Sequence, residues 1–254
     1  MSPVQGPAGT TVRIEITESA GRAVATGDTV RLLLPEQAAA SASLAFTTYT
    51  AMERARQEQG MVTVHATAVT RDHAAVVLLG DKAMGKTSTS LALGRRGWTH
   101  AGDDLVVIRE DAGRLDVMPG KPTAAVRLHD GAAFYEPKPA LDLRDGFASG
   151  PTAAALFVRL AVHPDARPHA TAAVPFSGNE MLRLHENLSR YISGLPTPLS
   201  GLGGAPCGRV WQIDSTACAR WRAHLISVME KHPFFYVYAP TAEAAADLIE
   251  GLMP

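Results

Sequence analysis

Apolar and polar residues alternate over Val12–Ile16, and Val30–Leu34 is an apolar run ended by Pro35. Both read as short strands. From Glu36 to Gln59 the chain is rich in Ala, Glu, Arg and Gln, with Leu44, Tyr49 and Met52 recurring, which predicts a long helix stopped at Gly60. Met61–Val69 and Ala74–Leu79 are β-rich runs flanking the polar Thr70-Arg71-Asp72-His73, the pattern of a hairpin. Lys86–Arg96 has helical composition and is closed by Gly97. Trp98–Ala101, Leu105–Ile108 and Leu115–Met118 are strand candidates.

Residues 119–151 are rich in Pro and Gly and read as loops able to shape a substrate site. An apolar strand follows at Leu156–Val162, then a helix from near Ser177 with Glu180 placed as in a capping box. Val210–Ile213, a helix over Cys218–Met229, strand Phe234–Tyr238 and a last helix from Thr241 complete the pattern. Strands alternating with helices predict an α/β fold, and the hairpins make its sheet mixed. Residues 1–60 are expected to form a small strand-helix annex, and residues 61–254 the main domain.

The run feeding the second half of the hairpin ends in Gly80-Asp81-Lys82-Ala83-Met84-Gly85-Lys86-Thr87, which meets G-x-x-x-x-G-K-[ST] at every fixed position and is followed by Ser88. It lies where its mechanism requires, between a buried strand and the start of a helix. The helix start offers unpaired N–H groups and a partial positive charge to a phosphate. Lys86 is then the group for the β- and γ-phosphates of ATP, and Thr87 the hydroxyl for Mg²⁺. Lys82 either adds charge near the nucleotide or is a solvated loop lysine.

Helix length turns Asp103-Asp104 into a second candidate. Lys86–Arg96 carries the chain about 16 Å away from the phosphates, and a strand through Trp98–Gly102 returns it by about 16 Å. The two aspartates arrive level with the γ-phosphate and point to opposite faces, so they are expected to differ in role. One would accept a proton from an attacking hydroxyl or orient the metal, the other being held by backbone or solvent. His65, on the strand paired with the loop's own, falls near the loop's level.

The stretch from His65 to Ile108, HATAVTRDHAAVVLLGDKAMGKTSTSLALGRRGWTHAGDDLVVI, resembles the catalytic core of HPr kinase/phosphorylase and its smaller relatives. A strand histidine, a hairpin, a G-D-x-x-x-G-K-[ST] loop, a helix ending in R-G and an acidic pair follow in that family's order. The resemblance implies a core related to ATP-type phosphoenolpyruvate carboxykinase, and phosphoryl transfer from ATP to a hydroxyl. It implies Asp103 as base, His65 as its helper, and Lys86 and Thr87 as the phosphate and Mg²⁺ binders; Asp104 then joins Thr87 on the metal's side. The family's glycine-rich acidic second signature is not found, and Glu136 is the nearest candidate for its carboxylate. The acceptor expected is a small-molecule alcohol or a peptide or protein serine. A nucleotide-operated regulatory ATPase is the alternative, and self-association is implied by the resemblance alone.

Composition narrows the rest. A net charge of -1 gives no electrostatic reason for nucleic acid or an acidic membrane as partner. No apolar stretch reaches a membrane span, the N-terminus lacks the pattern of a secretory leader, and a cytoplasmic protein is expected. Cys207 and Cys218 are the only cysteines, and the nine histidines show no zinc-enzyme spacing. Lys121, Arg127 and Arg209 are further candidates to neutralise a transferred phosphoryl group; Trp211, Trp221, Phe234 and Phe235 read as packing residues.

Overall fold

The computed structural model describes residues 4–5, 11–17, 22–26, 29–36, 43–126, 139–193 and 214–253. Val210–Ile213, Trp211, Cys207, Arg127, Glu136 and Arg209 lie outside the described residues. The chain forms two compact units, one from residues 1–63 and 182–226 and the other from residues 64–181 and 227–254.

In the first unit, strands β1 (Val4–Gln5), β2 (Thr11–Thr17), β3 (Arg22–Thr26) and β4 (Thr29–Pro35) form a sheet in the order β1-β2-β4-β3. β2 and β4 run parallel, with β3 returning antiparallel along the outer edge of β4. Helix α1 (Ser43–Glu58) packs on this sheet. The described helix begins at Ser43, and residues 37–42 of the expected run lie outside the described residues. The helix buries polar groups beside Ala51 and Ala55: the Glu53 carboxylate, fully buried, accepts from the Thr63 N–H at 3.0 Å and from the Gln57 amide at 2.9 Å. Gln57 accepts in turn from Arg222, whose guanidinium also grips Asp214. Burial pushes the Glu53 carboxyl above its ordinary range, against the hydrogen bonds that pull it down.

β5 (Met61–Val64) leads from the first unit into the second. There follow β6 (Ala66–Arg71), β7 (Ala74–Leu79), helix α2 (Lys86–Arg95), β8 (Thr99–Gly102), β9 (Val106–Asp111) and β10 (Arg114–Met118). A small ribbon, β11 (Thr123–Ala125) and β12 (Ala140–Asp142), lies within the segment expected to be loops. β13 (Thr152–Val162), β14 (His169–Ala172), helices α3 (Gly178–Ser189) and α4 (Thr216–Met229), β15 (Phe234–Ala239) and helix α5 (Ala242–Leu252) complete the chain.

The sheet of the second unit runs β9-β10-β13-β7-β6-β8. The later half of β13 also pairs with β15, which carries β14 on its other side. β7 and β15 flank β13 in parallel, whereas β6–β7, β6–β8 and β10–β13 are antiparallel, so the fold is α/β with a mixed sheet. The hairpin forms with Ala66 opposite Leu79, and its turn places Asp72 (φ 51°) and His73 (φ 63°) in the left-handed region that tight hairpins use.

Two expected strands shift for local reasons. The run Met61–Val69 is interrupted at His65, whose ring is engaged elsewhere. Strand β9 starts at Val106 rather than Leu105, because the Leu105 N–H donates back to the Asp103 carbonyl at 2.7 Å across a turn with Asp104 at φ 61°. At Ser177 only half of a capping box forms. The Ser177 hydroxyl accepts from the Glu180 N–H, but the Glu180 side chain turns inward to Arg159 and the Tyr236 hydroxyl.

Helices α2 and α5 cover one face of the sheet. Val76, Leu78, Val158, Leu160 and Val237 meet Leu93, Ala245, Ala246 and Ile249 in a single buried cluster. At the end of α2, Gly97 (φ 88°) donates to Gly94 O and Trp98 to Leu93 O. This left-handed cap sends the chain back toward the sheet, with Leu93 and Trp98 both in the core. Above them the Glu250 carboxylate accepts from the Trp98 indole at 3.0 Å, from Arg71 at 2.7 Å and from Arg96 at 3.0 Å. The Trp98 bond first, and then the two guanidiniums, hold the Glu250 carboxyl below its ordinary value against the opposing effect of burial.

Leu93→Ala is expected to cost about 2–5 kcal/mol of unfolding free energy, because a fully buried side chain leaves a cavity; chemical denaturation measures it. Because the Glu250 carboxyl ionises below the unfolded value of about 4.3, its contribution is complete above that pH and is lost as pH falls through the folded value. Acid titrations of stability should therefore show a shallower fall below about pH 4 in Glu250→Gln than in the wild type. An unchanged acid limb would remove Glu250 from the account.

Candidate functional site

The loop Gly80–Thr87 joins β7 to α2 at the carboxyl end of the parallel strands, and it lies against β13. A Cβ on Gly80 would meet the Leu160 carbonyl oxygen at 2.9 Å, and one on Gly85 would meet Val162 Cγ2 at 2.7 Å. Gly85 also caps the helix at φ 86°. The Val162 N–H donates to the Met84 carbonyl, tying the loop to the strand beneath it. Two glycines at these places thus let the loop sit directly on the sheet, with the start of α2, the end of a helix that suits an anion, beside it.

Lys86 is buried, and its ammonium donates to Gly80 O at 2.7 Å and Asp81 O at 3.0 Å, both carbonyls of its own loop. It also stands 3.2 Å from His65 Nε2. His65 Nδ1 lies 3.3 Å from the Asp104 carbonyl. An ammonium only donates and a carbonyl only accepts, so these partners assign a neutral ring with the proton on Nδ1. His65 therefore joins the loop lysine to the acidic turn, although β6 itself begins one residue later.

The two aspartates have different partners, but they lie in a bend past β8, with Asp104 left-handed, rather than in a pleated strand. Asp104 is exposed, contributing its backbone carbonyl to His65. Asp103 is half-buried, and its Oδ1 accepts from the Thr87 hydroxyl at 3.0 Å and from the Thr67 hydroxyl at 2.7 Å. Its Oδ2 accepts from the Ala125 N–H at 3.2 Å. The carboxylate meeting Thr87 is thus that of Asp103, so the oxygen pair facing the loop is Thr87–Asp103.

Lys82, Asp81, Ala83 and Ser88 are exposed, while Met84 and Gly85 are half-buried. Lys121 is exposed beyond Gly120, whose N–H donates to Ala101 O. Trp221 and Phe235 are half-buried and Phe234 is buried, in keeping with packing roles. Among the described residues no group of three or more His, Cys, Asp and Glu side chains is placed to hold a metal by itself. No described helix is long and apolar enough to cross a membrane.

Three residues near the site carry no motif. Thr67 and the Ala125 amide hold Asp103, and His100, against Gly94, lies within reach of the Asp103 charge. A Cβ on Gly94 would come within 2.6 Å of His100 Nε2, so the glycine makes room for the ring. Burial holds the His100 imidazole below its ordinary value, and the Asp103 charge pulls it the other way. Counting two residues on from His65 along a pleated strand is the signal that would have found Thr67.

Gly85→Ala adds a Cβ in a strained left-handed backbone and against Val162. A cost of about 1–3 kcal/mol is expected there, which corresponds to about a 5- to 150-fold loss of nucleotide affinity where it falls on the binding conformation. Gly97→Ala, where a Cβ meets nothing, should lower stability and leave affinity unchanged. Titration with a fluorescent ATP analogue separates the two, and equal affinity losses would refute the steric account.

No family model matches the chain, and no curated protein matches it. Among solved structures it is similar to the HPr(Ser) kinase/phosphatase of Coxiella burnetii, with 19% identity, 42% of this chain and 76% of that one covered, and a TM-score of 0.32. At that depth the overlap assigns neither a family nor an activity.

Proposed function

We propose that this protein is an ATP- and Mg²⁺-dependent kinase that transfers the γ-phosphate to a hydroxyl of a small molecule or of a peptide or protein serine. The observation that carries the reading is the convergence of Lys86, His65, Thr87 and Asp103 through direct hydrogen bonds at the start of α2. A loop alone serves any nucleotide-binding protein. A loop whose lysine touches a histidine and whose threonine touches a carboxylate has the groups that proton transfer needs.

The donor set suits magnesium. The Thr87 hydroxyl, donating to Asp103 at 3.0 Å, presents a hard oxygen beside a phosphate-binding helix start, and magnesium is commonly held by one or two protein groups with phosphates and water completing its shell. When bound, it would neutralise charge on the phosphates. Lys86 leaves the Gly80 and Asp81 carbonyls for the phosphate oxygens. His65, with its proton on Nδ1, steadies the lysine from one side and the Asp104 turn from the other. Asp103 receives the acceptor's proton, held in place by its neighbours so that positioning supplies much of the rate. A cytoplasmic setting belongs to this reading.

A second reading, a nucleotide-operated regulatory ATPase, draws on the lysine's present partners. ATP would draw the Lys86 ammonium away from the Gly80 and Asp81 carbonyls, and that exchange of partners is a change a switch can use.

Asp103→Asn is expected to reduce phosphoryl transfer at least about 100-fold and to leave ATP affinity within a few-fold of the wild type. The assay incubates γ-labelled ATP and an extract of the source cells with each protein and identifies the labelled product by mass. Normal transfer by the variant would end Asp103's role as base. Slow hydrolysis with no labelled acceptor in the wild type would favour the switch.

A further inference from the structure

Thr67 is buried on β6 with no exposed surface, yet it makes the shorter of the two hydroxyl contacts to Asp103 Oδ1. We propose that Thr67 is a positioning residue for Asp103: it keeps Oδ1 occupied and turns the carboxylate so that Oδ2 is the oxygen left to receive the acceptor's proton. The inference rests on the kinase reading above.

A carboxylate offers about four lone-pair sites. Thr67 and Thr87 fill those of Oδ1, and the Ala125 N–H fills one on Oδ2, which leaves a single open position on Oδ2. The three donors are not equivalent. Thr87 stands in the first turn of α2, where its oxygen also has to serve the nucleotide's metal. Thr67 is β-branched on a buried strand, with a stiff χ1 and no water to take its place. It is therefore the reference that stays while the nucleotide comes and goes. In the transfer step the acceptor O–H bond breaks and its proton passes to Asp103 Oδ2. The acceptor oxygen forms its bond to the γ-phosphorus, and the β–γ bridging oxygen leaves with the electron pair on ADP.

The buried hydroxyl has an alternative explanation, that it merely satisfies a core position on β6. Two substitutions separate the cases. Thr67→Val keeps the shape and removes the donor, whereas Thr67→Ser keeps the donor. Turnover of γ-labelled Mg·ATP, nucleotide affinity and amide hydrogen exchange at Ala125 are measured on the whole chain. Thr67→Val is expected to lower kcat about 10–100-fold, the cost of a misplaced group, with nucleotide Kd within about twofold. Ala125 exchange should rise at least about tenfold as Asp103 turns away from its N–H. Thr67→Ser should restore all three readings to within about threefold.

Unchanged kcat in Thr67→Val overturns the proposal. So does lost turnover with Ala125 still protected, because Thr67 would then act elsewhere, and so does a Thr67→Ser variant as impaired as Thr67→Val. If the wild type neither transfers nor hydrolyses the γ-phosphate, the kinase reading fails. Ala125 exchange then still decides whether Thr67 sets the carboxylate, and unaltered exchange rejects it. Should Thr67→Val not fold, Thr67→Ala gives the same readings.

Discussion

The loop between β7 and α2 can touch β13 only because no side chain stands between them. Gly80 lies against the Leu160 carbonyl and Gly85 against Val162, and this contact seats the start of α2 on the carboxyl edge of the parallel strands. Everything chemical in the second unit is measured from there. The helix runs to a glycine cap, the cap returns the chain into β8, and β8 delivers Asp103 to the hydroxyl of Thr87. A longer helix or a loop lifted off the sheet would part the acid from the hydroxyl.

That framework is held by apolar burial on one face and polar pairing at its edges. Leu93, Leu78, Val158 and Ile249 exclude water between α2, α5 and the sheet. Glu250 gathers Trp98, Arg71 and Arg96 at the rim, where an exposed ion pair would contribute little but an indole N–H and two guanidiniums on one carboxylate act together. On the other face Arg159, Glu180 and Tyr236 form a buried polar group that a residue-by-residue reading takes for a helix cap. Burial sets its geometry, since an unpaired charge there would be costly.

Within the site, the lysine and the carboxylate are constrained differently. Lys86 is tied to its own loop and to His65, contacts a phosphate can replace. Asp103 is tied to a core strand and to a backbone amide, contacts a ligand cannot easily displace. On the proposed kinase reading, the charge with replaceable partners is the one that would meet the nucleotide, and the charge with fixed partners is the one that would need orientation. That division is the physical content of the kinase reading.

Local rules were enough for much of this protein. The glycine spacing before Lys86-Thr87, the helix closed at Gly97 and the hairpin around Asp72-His73 all follow from backbone sterics and period, which act over a few residues. Helix and strand rise alone brought the Asp103-Asp104 pair to the level of the loop. The weak edge strand His169–Ala172, the ribbon at Thr123–Ala125 and the parallel pairing of β2 with β4 left no such signal, because small residues and long-range pairing carry no period. Tertiary structure alone decided that Thr87 meets Asp103, that Glu180 turns to Arg159, and that Thr67 and Ala125 hold the acid. Those choices depend on which strand lies beside which, and so on contacts between residues tens of positions apart in the chain.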